Sequence, residues 1–302
     1  MLAACSESSS GVAYEDLPAV VDVVALGGSN VGGYGIGGED DAYPALYART
    51  LAVEAGVETR YIAHHTLTEM SNRHLREWND MLLTDEQLRA DLEAAEVVTI
   101  ELGIHTIVMT CGWYTNWTVE CLSNAAITLS DEYQRFFDTL DQLVSDDTIL
   151  MAFNQGLPRP TSEYWRDHPD WEAMKADGFQ AWWNSLEAAA TAHDVIVVDT
   201  AHMFGEGDPE EFGMGPQYTQ PDNVHFNATG HRFWADLTLA ADCVTPNIVI
   251  INMSIDYDDV NGNSYSLTFT EGETKTTAAG SQIKFKRLSP PGLDAVYAFE
   301  EL

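Results

Sequence analysis

Five short strand-like segments, four of them mostly apolar and the second mixed in polarity, alternate with stretches of helical periodicity and constrain what the first 241 residues can fold into. The first run is AVVDVVAL, and the five cover residues 19–26, 58–63, 97–102, 148–153 and 195–199. Valine-rich runs of this length are typical of strands buried on both faces of a parallel sheet. Since parallel neighbours need crossover helices, the alternation predicts a three-layer α/β/α sandwich around a five-stranded parallel sheet.

The pattern changes at about residue 244. From there, apolar and polar residues alternate around Asn-Gly and Gly turns, which is typical of short β-strands. We therefore predict three parts: an N-terminal segment and tether at 1–17, the α/β domain at 18–243, and a β-rich C-terminal extension at 244–302.

The charge of the chain is strongly one-sided. Its 302 residues include 14 Lys and Arg against 48 Asp and Glu, a formal net charge of -34. A polyanion such as DNA is repelled by this field, so we exclude nucleic acid as a partner. No apolar run reaches the roughly 18 residues that a membrane-spanning helix needs, so we do not expect an integral membrane protein.

The N-terminus contains Leu-Ala-Ala-Cys, which resembles the lipobox of bacterial lipoproteins. The resemblance implies lipidation at Cys5, membrane attachment through that lipid, and a secreted, periplasmic or cell-surface location in a bacterium. The charged and apolar regions of a signal peptide do not precede this tetrapeptide, so the interpretation requires a precursor with a longer N-terminus. A chance match is the alternative.

Two further cysteines, Cys111 and Cys121, flank the aromatic stretch CGWYTNWTVEC. We predict a disulfide between them in an oxidising compartment, with two free thiols as the alternative. Cys243, near the end of a helical stretch, reads as a small buried apolar residue.

Polar residues that can serve as nucleophiles, bases or hydrogen-bond donors follow the ends of the predicted strands. Ser29 lies in a glycine-rich turn after the first strand, residues 64–66 (His-His-Thr) follow the second, and residues 103–106 (Gly-Ile-His-Thr) follow the third. Asp222 and His225 lie just before the last helix. Because strand ends meet at one edge of a parallel sheet, we expect these residues to converge there. A serine nucleophile needs a nearby base and a carboxylate that orients the base.

Three blocks of the sequence together resemble the SGNH hydrolases, also called GDSL lipases or esterases. They are VVALGGSNVGGYG, AEVVTIELGIHTI and PDNVHFNATGHRFWADL, within a match over about 19–242. The resemblance implies a serine esterase that acts through an acyl-enzyme, without a cofactor. By position, Ser29 is the nucleophile, His225 the general base and Asp222 the residue that orients it.

The chain departs from the family pattern around the oxyanion hole. The usual Gly-Asp-Ser is Gly27-Gly28-Ser29 here, and the second block, IAHHTLTEMSN, contains no glycine. In the third block His105 replaces the usual asparagine. We therefore predict an oxyanion hole made by the Ser29 amide, a backbone amide near Thr66 and the His105 imidazole.

Two other functions are compatible with these residues. The altered blocks allow a catalytically impaired surface binding protein with the same fold. His64, His65, His105 and His225 invite a metal site, although no recognised ligand spacing is present. For an esterase, the substrate is an ester of a small molecule, a lipid or a glycan. Aromatic residues at 113–117 and 164–171 either line a sugar groove or pack their loops onto the core.

Overall fold

The structure is a computed structural model that describes residues 17–65, 74–112, 116–154, 168–203, 217–222 and 224–241, and the backbones of five C-terminal strands. By its internal contacts the chain divides into two compact units, Met1–Val244 and Thr245–Leu302. The larger unit contains every residue of the predicted site.

A five-stranded parallel sheet forms the centre of the larger unit, as the apolar runs predict. The strand order is β2-β1-β3-β4-β5, and every neighbouring pair is parallel. The strands are β1 (Val20–Gly27), β2 (Glu58–His65), β3 (Val97–Ile100), β4 (Ile149–Phe153) and β5 (Ile196–Val198).

Helices cover both faces of this sheet. They are α1 (Tyr43–Ala55), α2 (Leu75–Thr84), α3 (Glu86–Glu93), α4 (Ile104–Cys111), α5 (Val119–Leu140), α6 (Trp171–Ala173), α7 (Gln180–Ala192), α8 (Thr200–Met203) and α9 (Ala228–Ala241). A π-helical turn, Met174–Phe179, joins α6 to α7.

Alternation along β1 shows why the molecule has three layers. Val21 and Val23 pack with α1 and α9, whereas Val24 and Leu26 pack with α2, α3, α5 and α7. Both sets of side chains are fully buried. A strand that is apolar on both faces needs helices on both sides, so the valine-rich run specifies the sandwich.

The start of α3 differs from the sequence prediction. The sequence favours Thr84 as the N-cap with Gln87 in a capping box, but Thr84 ends α2, and its hydroxyl donates to the Asp80 carbonyl. Asp85 is the N-cap, and its carboxylate accepts from the backbone N–H of Gln87 and Leu88 at 3.0 Å. A charged carboxylate is a stronger acceptor than a hydroxyl, which explains the one-residue shift.

The predicted cysteine pair is bonded. Cys111 ends α4 and Cys121 lies near the start of α5; they form a disulfide with Cα atoms 5.8 Å apart. Closing so short a loop stabilises a fold by about 2 to 3 kcal/mol. The free-thiol alternative therefore does not apply to this pair, while Cys5 and Cys243 lie outside the described residues.

The smaller unit consists of antiparallel strands. β6 (Met253–Asp258) pairs with β7 (Ser264–Phe269), and β9 (Gln282–Arg287) pairs with β8 (Thr274–Thr276) and β10 (Tyr297–Glu301). The alternation in the sequence indicates two or three strands here, and the described residues of this unit form five. In the part of the chain that the structure describes, no helix is long and apolar enough to cross a membrane.

Candidate active site

The site lies where the strand order of the sheet reverses. From β1 the sheet extends to β2 on one side and to β3 on the other, so the connections after β1 and β3 leave in opposite directions. In open α/β sheets the crevice at such a point, at the carboxyl ends of the strands, is the usual ligand site. Ser29 follows β1 by two residues, and His105 is the second residue of α4, which follows β3.

Backbone and side-chain hydrogen bonds hold the turn around Ser29. The Tyr34 N–H donates to the Ser29 carbonyl at 2.9 Å, and the side chain of Asn30 donates to Glu101 Oε1 at 3.0 Å. Glu101 directly follows β3 and is only 3% exposed. The half-buried Ser29 therefore occupies a turn that is fastened to the neighbouring strand.

Asp222 and His225 form the pair that the Asp-x-x-His spacing predicts. His225 Nδ1 lies 2.7 Å from Asp222 Oδ2, and Asp222 Oδ1 accepts from the backbone N–H of Val224 and His225 at 3.0 Å. Burial alone raises the pKa of Asp222, but these hydrogen bonds outweigh it, and the net pKa is lowered. The carboxylate stays ionised and directs His225 Nε2 away from itself.

The loop that carries this pair is braced by its own backbone. Thr219 and Phe226 form an antiparallel bridge. The Asn227 side chain donates to the Gln217 and Thr219 carbonyls at 2.9 and 3.0 Å. These bonds brace the described residues of the base loop, 217–222 and 224–227, directly before α9.

Three of the predicted site segments converge on one another. The His105 ring lies against Gly28, since a Cβ on that glycine would lie 2.6 Å from His105 Cε1. The Tyr34 ring centroid is 4.3 Å from that of His225. His225 is also close enough to lower the pKa of His105 electrostatically. The turn of Ser29, the N-terminus of α4 and the base loop therefore meet at this sheet edge.

His105 is held in its neutral form. Burial, and secondarily the proximity of His225, lowers its pKa from 6.5 to about 4. The imidazole is thus uncharged above about pH 5, and one of its nitrogens carries a proton. A neutral ring with one N–H can donate to an oxyanion as an amide does.

The structure describes only some of the residues of the second block. Thr66 lies outside the described residues. His64 Nε2 is 2.9 Å from Asp91 Oδ2, and His65 Nε2 is 2.6 Å from Glu39 Oε1, so each imidazole has its own carboxylate. Within the described ranges, no group of three or more His, Cys, Asp or Glu could hold a metal ion.

Sequence reasoning missed three residues of the site. Glu101 reads as a strand-end residue, Tyr34 as part of a glycine-rich turn, and Gln220 as an ordinary loop residue. Glu101 accepts from the Asn30 side chain, the Tyr34 ring lies against His225, and Gln220 Nε2 donates to the Tyr34 carbonyl. Local patterns do not encode such contacts between distant segments. Only the glycine at position 35 hints at a close approach in this turn.

Described aromatic residues of the two Trp-rich stretches pack inward. Trp117 is fully buried, and its indole N–H donates to the Gly112 carbonyl at 2.9 Å. Trp171 packs against the core next to Phe179. For these two residues the packing alternative holds, and the remaining residues at 113–115 and 164–167 lie outside the described part.

His231, in α9 directly after the base loop, makes the stability of the fold depend on pH. Its Nδ1 accepts from the Tyr43 N–H at 3.1 Å, and burial, with His225 second, lowers its pKa from 6.5 to about 4. Between pH 6.5 and about 4, this histidine is protonated in the unfolded state and neutral in the folded state. The free energy of unfolding therefore falls as the pH falls through this range. At about 1.4 kcal/mol per pKa unit, the loss is of the order of 3 kcal/mol.

We expect His231→Gln to remove this dependence, because a glutamine side chain can accept from Tyr43 without titrating. Urea unfolding at several pH values between 6.5 and about 4 should show the wild-type free energy of unfolding approaching or crossing that of the variant. Curves that run parallel over this range would show that His231 is not the titrating group.

Several solved structures share the fold of this chain. The lipase Lip_vut3 from a goat rumen metagenome superimposes with a TM-score of 0.57, at 17% identity over 73% of this chain and 97% of the lipase. An extracellular lipase from Streptomyces rimosus gives 0.51, at 16% identity over 73% and 99%. The acetyl xylan esterase AlAXEase gives 0.50, at 14% identity over 73% and 99%. At these identities the likeness shows a shared α/β fold.

The sequence identifies the family. A sequence profile of the GDSL-like lipase/acylhydrolase family matches residues 25–233, and the chain belongs to this family. No curated protein sequence matches the chain significantly. The resemblance identified from the three blocks is confirmed.

Two departures from the family pattern are linked in space. The family's usual aspartate would stand at position 28, and its usual asparagine at position 105. A Cβ at position 28 would already lie 2.6 Å from His105 Cε1, closer than packed atoms allow. The larger imidazole therefore fits because position 28 has no side chain.

Proposed function

We propose that the chain is a serine-dependent carboxylic ester hydrolase that acts through an acyl-enzyme. The observation that carries this proposal is the 2.7 Å contact between His225 Nδ1 and Asp222 Oδ2, in a loop that meets the turn of Ser29. A carboxylate on one imidazole nitrogen leaves the other nitrogen to act as a base. Membership of a lipase and acylhydrolase family supports the same chemistry.

In the acylation step, Ser29 Oγ attacks the carbonyl carbon of the ester while His225 Nε2 takes the hydroxyl proton. The carbonyl π bond breaks, and its electron pair moves to the oxygen. When the tetrahedral intermediate collapses, the C–O bond to the alcohol breaks and His225 returns the proton to the leaving oxygen. Asp222 stabilises the imidazolium that exists between these events.

In the deacylation step, water takes the place of the alcohol. His225 Nε2 removes a proton from water as its oxygen attacks the acyl carbon. The bond to Ser29 Oγ then breaks, His225 returns the proton to Ser29, and the carboxylic acid leaves. One ester and one water give one acid and one alcohol, and every proton step uses His225.

The oxyanion would be held by the backbone N–H of Ser29 and the N–H of neutral His105. A backbone amide near Thr66 is the proposed third donor. Donors of this kind act where negative charge develops, and each is worth about 2.7 to 4 kcal/mol in the transition state. The proposal includes no metal and no cofactor.

The substrate class that we propose is an ester of a small molecule, a lipid or a glycan. Two neighbours in fold are lipases and a third is an acetyl xylan esterase, which supports acyl esters in general. We also propose a secreted or lipid-anchored protein, with Cys5 as the lipidation site. The Cys111–Cys121 disulfide supports an oxidising compartment, since such bonds rarely persist in the cytosol.

Hydrolysis of p-nitrophenyl acetate, butyrate and octanoate tests this function. We expect turnover of at least one ester, unaffected by a chelator, since no step uses a metal. The dependence on chain length then defines the acyl group that the site prefers. Failure to hydrolyse any ester of the series would favour the non-catalytic binding protein, and activity lost to chelation and restored by metal would favour the metal site.

A further inference from the structure

We infer that Gln220 is a positioning residue that sets the base loop against the turn of Ser29. The expected effect on catalysis rests on the proposed function, whereas the expected effect on the position of the base loop does not. The two segments are about 190 residues apart in sequence, so a fixed separation between Ser29 and His225 requires contacts that join them directly.

The side-chain amide of Gln220 makes two such contacts at once. Its Nε2 donates to the Tyr34 carbonyl at 2.6 Å and to the Phe226 carbonyl at 2.8 Å. The Gln220 backbone N–H donates to the His225 carbonyl at 2.8 Å. One residue thus holds the backbone of the base loop at the His225 and Phe226 carbonyls, and the backbone of the nucleophile turn at the Tyr34 carbonyl.

Gly35 shows how closely the two segments approach. A Cβ on this residue would lie 2.2 Å from Gln220 Oε1, and its φ of +75° is one that other residues rarely adopt. The glycine therefore makes room for the Gln220 amide directly on the turn.

Tyr34 completes the connection from nucleophile to base. Its N–H donates to the Ser29 carbonyl at 2.9 Å, its carbonyl accepts from Gln220, and its ring lies 4.3 Å from the His225 ring. A shift of the Gln220 amide would therefore move the ring that packs on the catalytic base. Reactive groups displaced by about 1 Å can lose a hundredfold in rate.

Glutamine is chemically suited to this position because it offers two N–H donors on one nitrogen to two carbonyl oxygens. Methionine has a similar length and no donor. Glutamate is an acceptor when ionised and would repel both carbonyls. Gln220→Met is therefore the neutral test, and Gln220→Glu is a second variant with the same shape and no amide protons.

The experiment measures both geometry and rate. In carbon–proton NMR spectra of the histidine rings, we expect the His225 signal to move in Gln220→Met, because the ring current of Tyr34 shifts with it. With p-nitrophenyl esters we expect kcat to fall about 10- to 100-fold while KM changes less than about threefold. Fluorophosphonate labelling of Ser29 should slow by a similar factor.

Gln142→Met is the matched control. Gln142 lies two residues after α5, and its Nε2 donates to the Asp138 carbonyl at 2.8 Å, so the same substitution removes one exposed hydrogen bond there. We expect the His225 signal and kcat to stay at their wild-type values.

The outcomes separate the positioning role from the proposed function. A His225 signal that stays in place in both Gln220 variants, or a lower melting temperature with unchanged kcat, would overturn the inference. If the His225 signal moves but the wild type hydrolyses no ester, Gln220 still positions the loop, and it is the esterase proposal that fails.

Discussion

Replacement of Ser29 by alanine is expected to lower kcat for ester hydrolysis at least about a thousandfold, because no other group in the proposed mechanism forms the acyl bond. The fold should survive this change. In the turn, the Ser29 backbone carbonyl accepts from the Tyr34 N–H. Alanine retains this carbonyl. Ester hydrolysis and the melting temperature, measured on the same preparations, check both statements.

Ser130→Ala is the control for this variant, since Ser130 is exposed on α5. We expect Ser130→Ala to keep wild-type activity. A Ser29→Ala protein that folds and hydrolyses esters at the wild-type rate would eliminate the serine mechanism.

Replacement of His105 by alanine is expected to lower kcat about 100- to 1000-fold, the typical cost of one oxyanion donor. The imidazole is neutral because burial lowers its pKa to about 4, so its donor capacity persists at higher pH. The deficit of the variant should therefore stay constant from about pH 6 to pH 9. Parallel kcat profiles of wild type and His105→Ala over this range are the measurement.

Because Gly28 and His105 are in contact, a double-mutant cycle at these two positions tests the prediction further. His105→Asn restores the family's usual side chain and should retain more activity than His105→Ala, since an amide also donates. Gly28→Asp alone should be strongly impaired, because its Cβ would press on the imidazole. The double variant Gly28→Asp/His105→Asn should recover much of the activity that Gly28→Asp alone loses. Additive effects of the two substitutions on the activation free energy would show that the two positions are independent.

The fold was predictable where local chemistry and long-range packing agree. The valine-rich β1 is predicted as a strand buried on both faces. Helical periodicity in the sequence predicts a last helix at about 228–241, the range that α9 occupies. For the helix before β4 the same periodicity predicts about 131–144, which is wrong at both ends, since α5 covers Val119–Leu140. Thr118 caps its true start by accepting from the Cys121 N–H, next to a disulfide.

The site was predictable where a motif is local in sequence. Asp222 and His225 are three residues apart, so their spacing alone predicts the contact between them. The roles of Glu101 and Gln220 depend on which backbones the sheet brings together, and no local pattern encodes that. The linkage of Gly28 to His105 was visible in sequence only as two separate departures.

The most direct test of a serine nucleophile is to identify the residue that a fluorophosphonate modifies. The protein would be incubated with the reagent, digested, and its peptides mapped by mass spectrometry. We predict one modified serine, Ser29, with modification that requires His225 and is prevented by prior denaturation. An unmodified Ser29 in a protein that hydrolyses esters, or a label on another serine, would contradict the account.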